Sequence, residues 1–169
     1  MKKETIRELI IYGSVILAII LIRTFVITPV RVNGTSMYST LKDGEIMILN
    51  KLDYKFNDIE RFDIVVVKTD SNKIIKRVIG LPGESIRYVD NTLYINDKKI
   101  DEPYLKDKTD DFDLQELGYD RIPDDCYFVL GDNRDNSSDS RVIGPVKKSQ
   151  IEGSASLVLF PFKEAGVKK

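Results

Sequence analysis

An apolar stretch close to the N-terminus constrains this chain more than any other feature of its sequence. It runs from Leu9 to Val30 and is interrupted by a single charge, Arg23. As a helix its roughly 22 residues would extend about 33 Å, enough to cross the hydrocarbon core of a bilayer when the Arg23 side chain reaches the interface. We therefore expect a transmembrane anchor at 9–30, with the N-terminus at 1–8 in the cytoplasm and 31–169 forming one extracytoplasmic domain.

The charges that flank this stretch indicate its orientation. Lys2, Lys3 and Arg7 precede it and favour a cytoplasmic N-terminus, although Arg23 and Arg31 on the far flank weaken the asymmetry. A cleaved secretory signal is the alternative, since a basic segment followed by an apolar one is also typical of signal peptides. No Ala-x-Ala cleavage site follows, so a retained anchor is our prediction.

Two features of the composition limit the chemistry: the chain contains no histidine and only one cysteine, Cys126. Without histidine, Ser-His-Asp and Cys-His catalysis and most catalytic zinc sites are excluded. A general base must then be Lys, Asp, Glu, Tyr or a terminal amine. Cys126 has no histidine to activate it, so we expect a small buried apolar side chain there. Acidic and basic residues almost balance, 27 against 26, which gives no reason to expect nucleic acid as a partner.

Beyond the apolar stretch the sequence has the short alternating runs that are typical of β-strands, separated by turn residues. We predict a mostly β domain, either a compact antiparallel sheet or a barrel-like body. The pairs Asp90-Asn91 and Asn96-Asp97 should form tight turns, whereas the polar segment 101–125 is expected to be a surface excursion. The predicted strands are Glu45–Leu49, Asp63–Lys68, Lys73–Ile79, Ser85–Val89, Thr92–Ile95, Tyr127–Leu130 and Ser156–Phe160.

Two segments contain candidates for a nucleophile and its base. Ser36 lies in the glycine-containing loop Asn33 to Met37, although serines in such loops are more often turn formers. In the strand 73–79 a period of two puts Lys76 on one face and Arg77 on the other, each between β-branched residues. Burial would disfavour the ammonium form and lower the pKa of Lys76, as a general base requires. The alternative is an edge strand whose charges face water.

The densest group of polar residues is the run Gly131 to Arg141, GDNRDNSSDSR, called the polar loop below. An EF-hand is excluded because Arg134 occupies the third position, Ser137 replaces the turn glycine and Ile143 stands where a bidentate Glu is required. Taken alone, this run is typical of an Asx-rich turn.

Taken together and in this order, these segments resemble the type I signal peptidase family. The matching pieces are GTSMYSTL (34–41), DIVVVK (63–68), KRVIGLPGE (76–84), LYINDKKIDEPYL (93–105), GDNRDNSSDSR (131–141) and IEGSASLVLFPF (151–162). They cover most of the chain. The resemblance implies a membrane-bound serine endopeptidase that removes signal peptides from exported preproteins, acts through a Ser-Lys dyad and needs no metal or organic cofactor.

By the same resemblance Ser36 is the nucleophile that becomes acylated, and a neutral Lys76 takes its proton and then activates the deacylating water. Many relatives have a serine two residues before the nucleophile, whose hydroxyl completes the oxyanion hole, but this chain has Gly34 there. The Ser36 backbone N–H then remains as the assigned oxyanion donor. Ser39 stands where the family usually has a proline, which reduces the expected rigidity of the loop.

The resemblance also assigns supporting roles in and around the polar loop. Ser137 is expected to hydrogen-bond and orient the Lys76 amine, and Asp139 to support that network. Asp132 and Arg141 are implied to form a stabilising ion pair.

The implied substrates lie against the membrane, because a preprotein is still held there by the apolar part of its signal peptide when it is cut. Cleavage after a small residue, with another small residue two positions earlier, implies shallow apolar subsites. We expect contact with the lipid bilayer at an apolar rim of Met37, Tyr38, Phe160 and Phe162. Two other functions fit parts of the sequence. A Ser-Lys autoproteolytic regulator would need a DNA-binding module and no span, and an anchored, non-catalytic β-domain would bind a partner through the polar loop.

Overall fold

The helix predicted by the apolar stretch is present at the start of the chain. In the computed structural model, which describes residues 3–168, helix α1 spans Lys3–Phe25. Its segment Glu4–Phe25 has a mean hydropathy of 2.1 and is not buried against the rest of the protein. By length and composition this helix can cross a membrane, and no other helix among the described residues can.

The apolar stretch is divided between this helix and a strand. α1 ends at Phe25, and strand β1, Ile27–Arg31, pairs antiparallel with β2, Ile46–Asn50, in an unbroken register. The helix therefore ends before the predicted span 9–30 does, because the backbone of β1 bonds to β2 and Pro29 has no N–H with which to continue a helix. Pro29 is tolerated in β1 because this strand lies at the edge of its sheet.

Antiparallel strands form most of the remaining structure, which confirms the prediction of a mostly β domain. The other elements are β3 Ile64–Lys68, β4 Lys73–Gly80, β5 Ile86–Val89, β6 Thr92–Ile95, β7 Lys98–Ile100, β8 Phe112–Asp113, β9 Cys126–Leu130, β10 Val146–Lys147, β11 Ile151–Phe160, β12 Gly166–Val167 and the single-turn helices α2 Asp53–Phe56 and α3 Ser140–Ile143. The larger sheet is curled and has the order β1-β2-β11-β3-β4-β9-β10, with β12 paired to β11. The smaller sheet has the order β7-β6-β5-β8. Its two tight turns contain the predicted pairs Asp90-Asn91 and Asn96-Asp97, all with positive φ.

Strand β4 lies in the interior of the larger sheet, between β3 and β9. The alternative of an edge strand whose charges face water is therefore wrong. Both cations of the strand are buried, since Lys76 is 2% exposed and Arg77 is 0% exposed. Because neighbouring residues of a strand point to opposite faces, β4 places an amine and a guanidinium inside the protein on different sides of the sheet. Each then needs a specific partner.

The segment 101–125 differs from the surface excursion predicted for it. Phe112, Leu114 and Ile122 are buried in a core that the smaller sheet shares with β4 and β9. Sequence reasoning missed them because they are spaced irregularly among polar residues and give no periodic pattern. Cys126 is buried in the same core, as predicted.

Candidate active site

Ser36 lies in the connection between β1 and β2, and its neighbours fix its backbone. Gly34, two residues earlier, has a φ of +87°, which favours glycine, and its N–H donates to Asp43 Oδ1 at 2.7 Å. Met37, the next residue, is 2% exposed and packs in the core with Leu41. Ser36 itself is half-buried between these two fixed points.

The polar loop binds the Ser36 segment through hydrogen bonds to its backbone and to the Thr35 hydroxyl. The Asn133 N–H donates to the Ser36 carbonyl at 3.0 Å, and Asn133 Nδ2 donates to the Thr35 carbonyl at 3.0 Å. Asn136 Nδ2 donates to Thr35 Oγ1 at 2.8 Å. Gly131 is needed for this close approach, because a Cβ there would lie 2.4 Å from the Ser36 carbonyl oxygen. The loop and the serine segment therefore form one unit.

Lys76 extends from β4 to the Ser36 side chain. Its Nζ lies 2.6 Å from Ser36 Oγ. The pKa of Lys76 is lowered from its ordinary value of 10.5 to about 8, mainly by burial, and the positive charge of Arg141 acts in the same direction. The carboxylates of Asp139 and Asp132 act in the opposite direction without cancelling the effect of burial.

This arrangement can activate an alcohol. When Lys76 is charged, its ammonium donates the hydrogen bond to Ser36 Oγ, and when Lys76 is neutral, its amine can accept the hydroxyl proton. A pKa of about 8 leaves part of the amine neutral near physiological pH. The contact therefore joins a candidate nucleophile to a candidate general base without a histidine.

Asp132 pairs with Arg77, so the implied ion pair between Asp132 and Arg141 is wrong. Arg77 Nε donates to Asp132 Oδ1 at 2.9 Å and Arg77 Nη2 donates to Oδ2 at 2.7 Å. The Thr40 hydroxyl donates to the same carboxylate. The pairing follows from the sheet register, in which Arg77 lies opposite Leu130. Asp132 follows two residues later, just past the end of β9.

Removing one partner of this buried pair should destabilise the protein strongly. Asp132→Asn leaves the Arg77 guanidinium without a carboxylate in a site with no exposure, and we expect the free energy of unfolding to fall by about 3–5 kcal/mol. The measurement is chemical denaturation of the full-length protein in detergent, followed by circular dichroism. Asp97→Asn is the control because the pair of Asp97 with Arg87 is exposed, and its loss should cost less than about 1 kcal/mol. Equal effects of the two substitutions would contradict the burial argument.

Arg141 pairs with Asp139 within the polar loop. Arg141 Nε and Nη2 each donate to the Asp139 carboxylate at 2.9 Å, and the Gly131 N–H donates to it at 3.1 Å. Asp139 also caps α3 by accepting from the Arg141 N–H. These bonds shape the loop, while the buried charge of Asp139 acts on Lys76 at a distance.

Ser137 does not make the hydrogen bond to Lys76 that the resemblance implies. Its Oγ is buried and has no hydrogen-bond partner among residues 3–168. The Lys76 amine bonds to Ser36 instead. Ser137 is nevertheless close to the pair, because its Oγ would be 2.3 Å from a Cβ placed on Gly131, the glycine that contacts the Ser36 carbonyl.

A recess of about 190 Å³ lies beside the Ser36 and Lys76 side chains. Met37, Ile74 and Ile75 contribute to its apolar part. Within the described part of the chain, the Ser36 N–H donates to no acceptor. A carbonyl bound next to Ser36 could therefore accept a hydrogen bond from it, as an oxyanion hole requires.

Sequence reasoning missed the residues that hold the polar loop from outside. A buried Arg77 needs a carboxylate, but the resemblance implied that Asp132 pairs with Arg141 and indicated no partner for Arg77. No comparable signal reveals the ion pair between Arg134 and Glu102, which joins the polar loop to the connection after β7. These two residues are 32 positions apart and lie outside any common pattern.

Comparison with known proteins identifies the family that this chain resembles. The profile of the family described as "Signal peptidase, peptidase S26" matches residues 4–160. Signal peptidase I of Bacillus caldolyticus is 47% identical over 154 residues, which cover 85% of each chain. Signal peptidase I S of Bacillus subtilis is 43% identical over 173 residues, covering 96% of this chain and 94% of the relative.

A more distant relative and a solved structure agree with these matches. Signal peptidase IB of Staphylococcus aureus is 38% identical over 179 residues, covering 97% of this chain and 94% of the relative. The crystal structure of a signal peptidase I from Enterococcus faecalis V583 is 40% identical and superposes with a TM-score of 0.54. That match covers 58% of this chain and 97% of the solved chain.

Proposed function

Because this chain belongs to the signal peptidase family, peptidase S26, we propose that Ser36 and Lys76 are the dyad with which it cleaves signal peptides from preproteins. Its activity as a serine endopeptidase on such substrates follows from that membership, and the comparisons do not favour the autoproteolytic regulator or the non-catalytic β-domain. One observation carries the assignment of the dyad: the 2.6 Å contact between a buried lysine amine and a serine hydroxyl.

Acylation begins when neutral Lys76 takes the Ser36 proton as Oγ attacks the carbonyl carbon of the scissile bond. A bond forms between Oγ and this carbon, and negative charge moves to the carbonyl oxygen, to which the Ser36 N–H can donate. Lys76 then gives the proton to the leaving nitrogen, so the mature protein departs with a new amino terminus. The signal peptide remains as an ester on Ser36.

Deacylation repeats the same proton transfers with water in place of the serine. Lys76, neutral again, takes a proton from a water molecule as its oxygen attacks the ester carbon. The bond between this carbon and Ser36 Oγ breaks, and Oγ recovers a proton from Lys76. The signal peptide leaves with a carboxyl terminus, and the dyad returns to its starting state.

The recess beside the dyad supports binding of small side chains of the substrate. The recess has a volume of about 190 Å³, and Met37, Ile74 and Ile75 are among the residues that line it. Small side chains next to the scissile bond fit such a shallow apolar site, whereas larger ones would clash with its wall. We propose that this recess selects the small residue that precedes the cleaved bond.

The pH dependence of cleavage tests the role proposed for Lys76. Its pKa of about 8 means that the amine is mostly protonated below this pH and mostly neutral above it. The rate should therefore rise with pH, with a midpoint near 8, and fall about tenfold for each pH unit well below the midpoint. The measurement is kcat/KM for a labelled preprotein at several pH values. A midpoint near 10.5, the ordinary value for lysine, would contradict desolvation of this amine.

We further propose that α1 anchors the protein in the cell membrane and that 31–169 lies on the extracytoplasmic side. An exposed apolar helix of this length is unfavourable in water and is stable in a bilayer. The basic residues before the helix favour a cytoplasmic N-terminus. The almost even balance of acidic and basic residues gives no reason to propose nucleic acid as a partner.

The apolar rim predicted from the sequence needs one correction. Met37 belongs to the core and is 2% exposed, because its side chain packs beneath the Ser36 segment. Tyr38, Phe160 and Phe162 are exposed, and the rings of Phe160 and Phe162 contact each other edge to face. We propose that these three aromatic residues touch the lipid surface.

Polar substitution of the rim should weaken membrane binding by a protein that starts at Ile27 and so lacks α1. Burial of a phenylalanine side chain contributes about 1.5–3 kcal/mol at most, so Phe160→Ser and Phe162→Ser should each reduce partitioning into phospholipid vesicles by up to about 10- to 100-fold. Vesicle flotation measures this. Tyr119→Ser, which alters an exposed aromatic residue outside the rim, serves as the control and should bind as the parent does. Unchanged binding after both rim substitutions would refute the rim.

A further inference from the structure

Arg134 is a buried cation at the centre of the polar loop. It is 2% exposed, and its guanidinium makes four hydrogen bonds. Nε donates to the Gly131 carbonyl at 3.1 Å, and Nη1 donates to the hydroxyls of Tyr88 at 2.9 Å and Thr109 at 2.7 Å. Nη2 donates to Glu102 Oε1 at 2.6 Å. One side chain thus joins the polar loop to the smaller sheet and to the connection that follows it.

Glu102 provides the negative charge that pairs with the Arg134 guanidinium. Among the described residues it is the ion-pair partner of Arg134, and its side chain is 7% exposed. It also accepts from the Tyr88 hydroxyl at 3.1 Å and from the Tyr104 hydroxyl at 2.7 Å. The Tyr104 ring in turn lies 3.8 Å from the Arg77 guanidinium. Glu102 and its neighbours therefore touch both of the arginines that hold the polar loop.

Stability alone does not account for such a pair. A buried ion pair contributes little net stability, because desolvation of both charges offsets their attraction. The pair instead fixes the position of the polar loop, since a guanidinium with four directed hydrogen bonds tolerates little displacement. The part of the loop it fixes is the part next to the reaction: Gly131 contacts the Ser36 carbonyl, and Asn133, adjacent to Arg134, donates to it.

We propose that Glu102 and Arg134 are positioning residues for catalysis, through which the smaller sheet braces the polar loop against the Ser36 segment. This inference rests on the proposed function of Ser36 and Lys76. Neither residue touches the reacting atoms. Their effect reaches the dyad through Gly131 and Asn133, which contact the Ser36 carbonyl. It also reaches Lys76 through the charges of the same loop, which act on the pKa of the amine.

The test compares Glu102→Ala and Glu102→Gln with the parent, using the full-length protein in detergent and a labelled preprotein. We expect Glu102→Ala to lower kcat about tenfold or more, because a small displacement of reacting groups costs this much. KM should stay close to that of the parent, since Glu102 does not line the recess. The midpoint of the pH profile should move from its parental value, because the loop charges that act on Lys76 are displaced. Glu102→Gln should recover part of kcat, because its amide oxygen can still accept from Arg134.

Glu84→Ala is the matched control. Glu84 forms a partly buried, two-pronged pair with Arg61, at 2.6 and 2.9 Å, away from the polar loop. Glu84→Ala should lower the unfolding temperature while leaving kcat and the pH midpoint unchanged.

If Glu102→Ala leaves kcat and the pH midpoint at parental values, or if Glu84→Ala changes them equally, the inference is overturned. Should Glu102→Ala fail to fold, the same two readouts on Glu102→Gln decide, and parental values for both would overturn it. Ser36→Ala, measured in parallel, distinguishes failure of this inference from failure of the proposed function. Parental activity in Ser36→Ala would refute the proposed function itself.

Discussion

Ser36→Ala is expected to reduce preprotein cleavage by at least about 10⁴-fold, since the substitution removes the atom that forms the acyl-enzyme and leaves only binding and oxyanion stabilisation. The fold should persist, because the Ser36 segment is held through its backbone by Asn133 and through the buried Met37 side chain. The measurement is cleavage of a labelled preprotein under single-turnover conditions, with circular dichroism to verify folding.

Ser39→Ala is the control for this experiment, three residues further along the same segment. Its hydroxyl is buried and has no hydrogen-bond partner within the described residues. Its removal should therefore leave cleavage intact and cost little stability. Parental activity in Ser36→Ala would sink the assignment of the nucleophile, whatever the control shows.

The second large effect is expected at Lys76. Lys76→Ala should lower kcat by about 10²–10⁴-fold, the usual contribution of a general base. Lys76→Arg should be as inactive, because a guanidinium stays protonated at any pH the fold tolerates. This comparison separates the need for a neutral amine from the need for a positive charge. Both variants are assayed from pH 7 to pH 10, where the parental rate rises and theirs should stay low.

Lys68→Ala is the matched control for the lysine. Lys68 ends the neighbouring strand β3, is exposed and does not line the recess. We expect normal cleavage and an unchanged pH midpoint. Activity in Lys76→Arg that follows the parental pH profile would show that another group takes the proton from Ser36.

Much of the fold could be predicted because its signals are local. The strands around Lys76 and Tyr127 are short apolar runs with β-branched or aromatic residues, and the tight turns at 90–91 and 96–97 carry the residue types that accept positive φ. The contact of Ser36 with Lys76 followed from the resemblance, since 40 residues separate them and no periodicity links them.

Side-chain partners were harder to predict, because they depend on register and on which face is covered. The pair of Asp132 with Arg77 follows from the alignment of β4 with β9, which no local pattern specifies. Met37 was expected at the surface from its nearness in sequence to Ser36, but its side chain packs in the core. In both cases the tertiary arrangement, rather than residue type, decided the outcome.

A single residue, Val26, separates the last residue of α1 from the first residue of β1. With the helix in the bilayer, so short a joint leaves the sheet little freedom to swing, and the height of Ser36 above the lipid becomes a fixed quantity of the fold. On the proposed anchoring, a substrate whose own apolar helix lies in the same bilayer presents its backbone at a depth set by the length of that helix. We then expect cleavage at the peptide bond that reaches the level of Ser36.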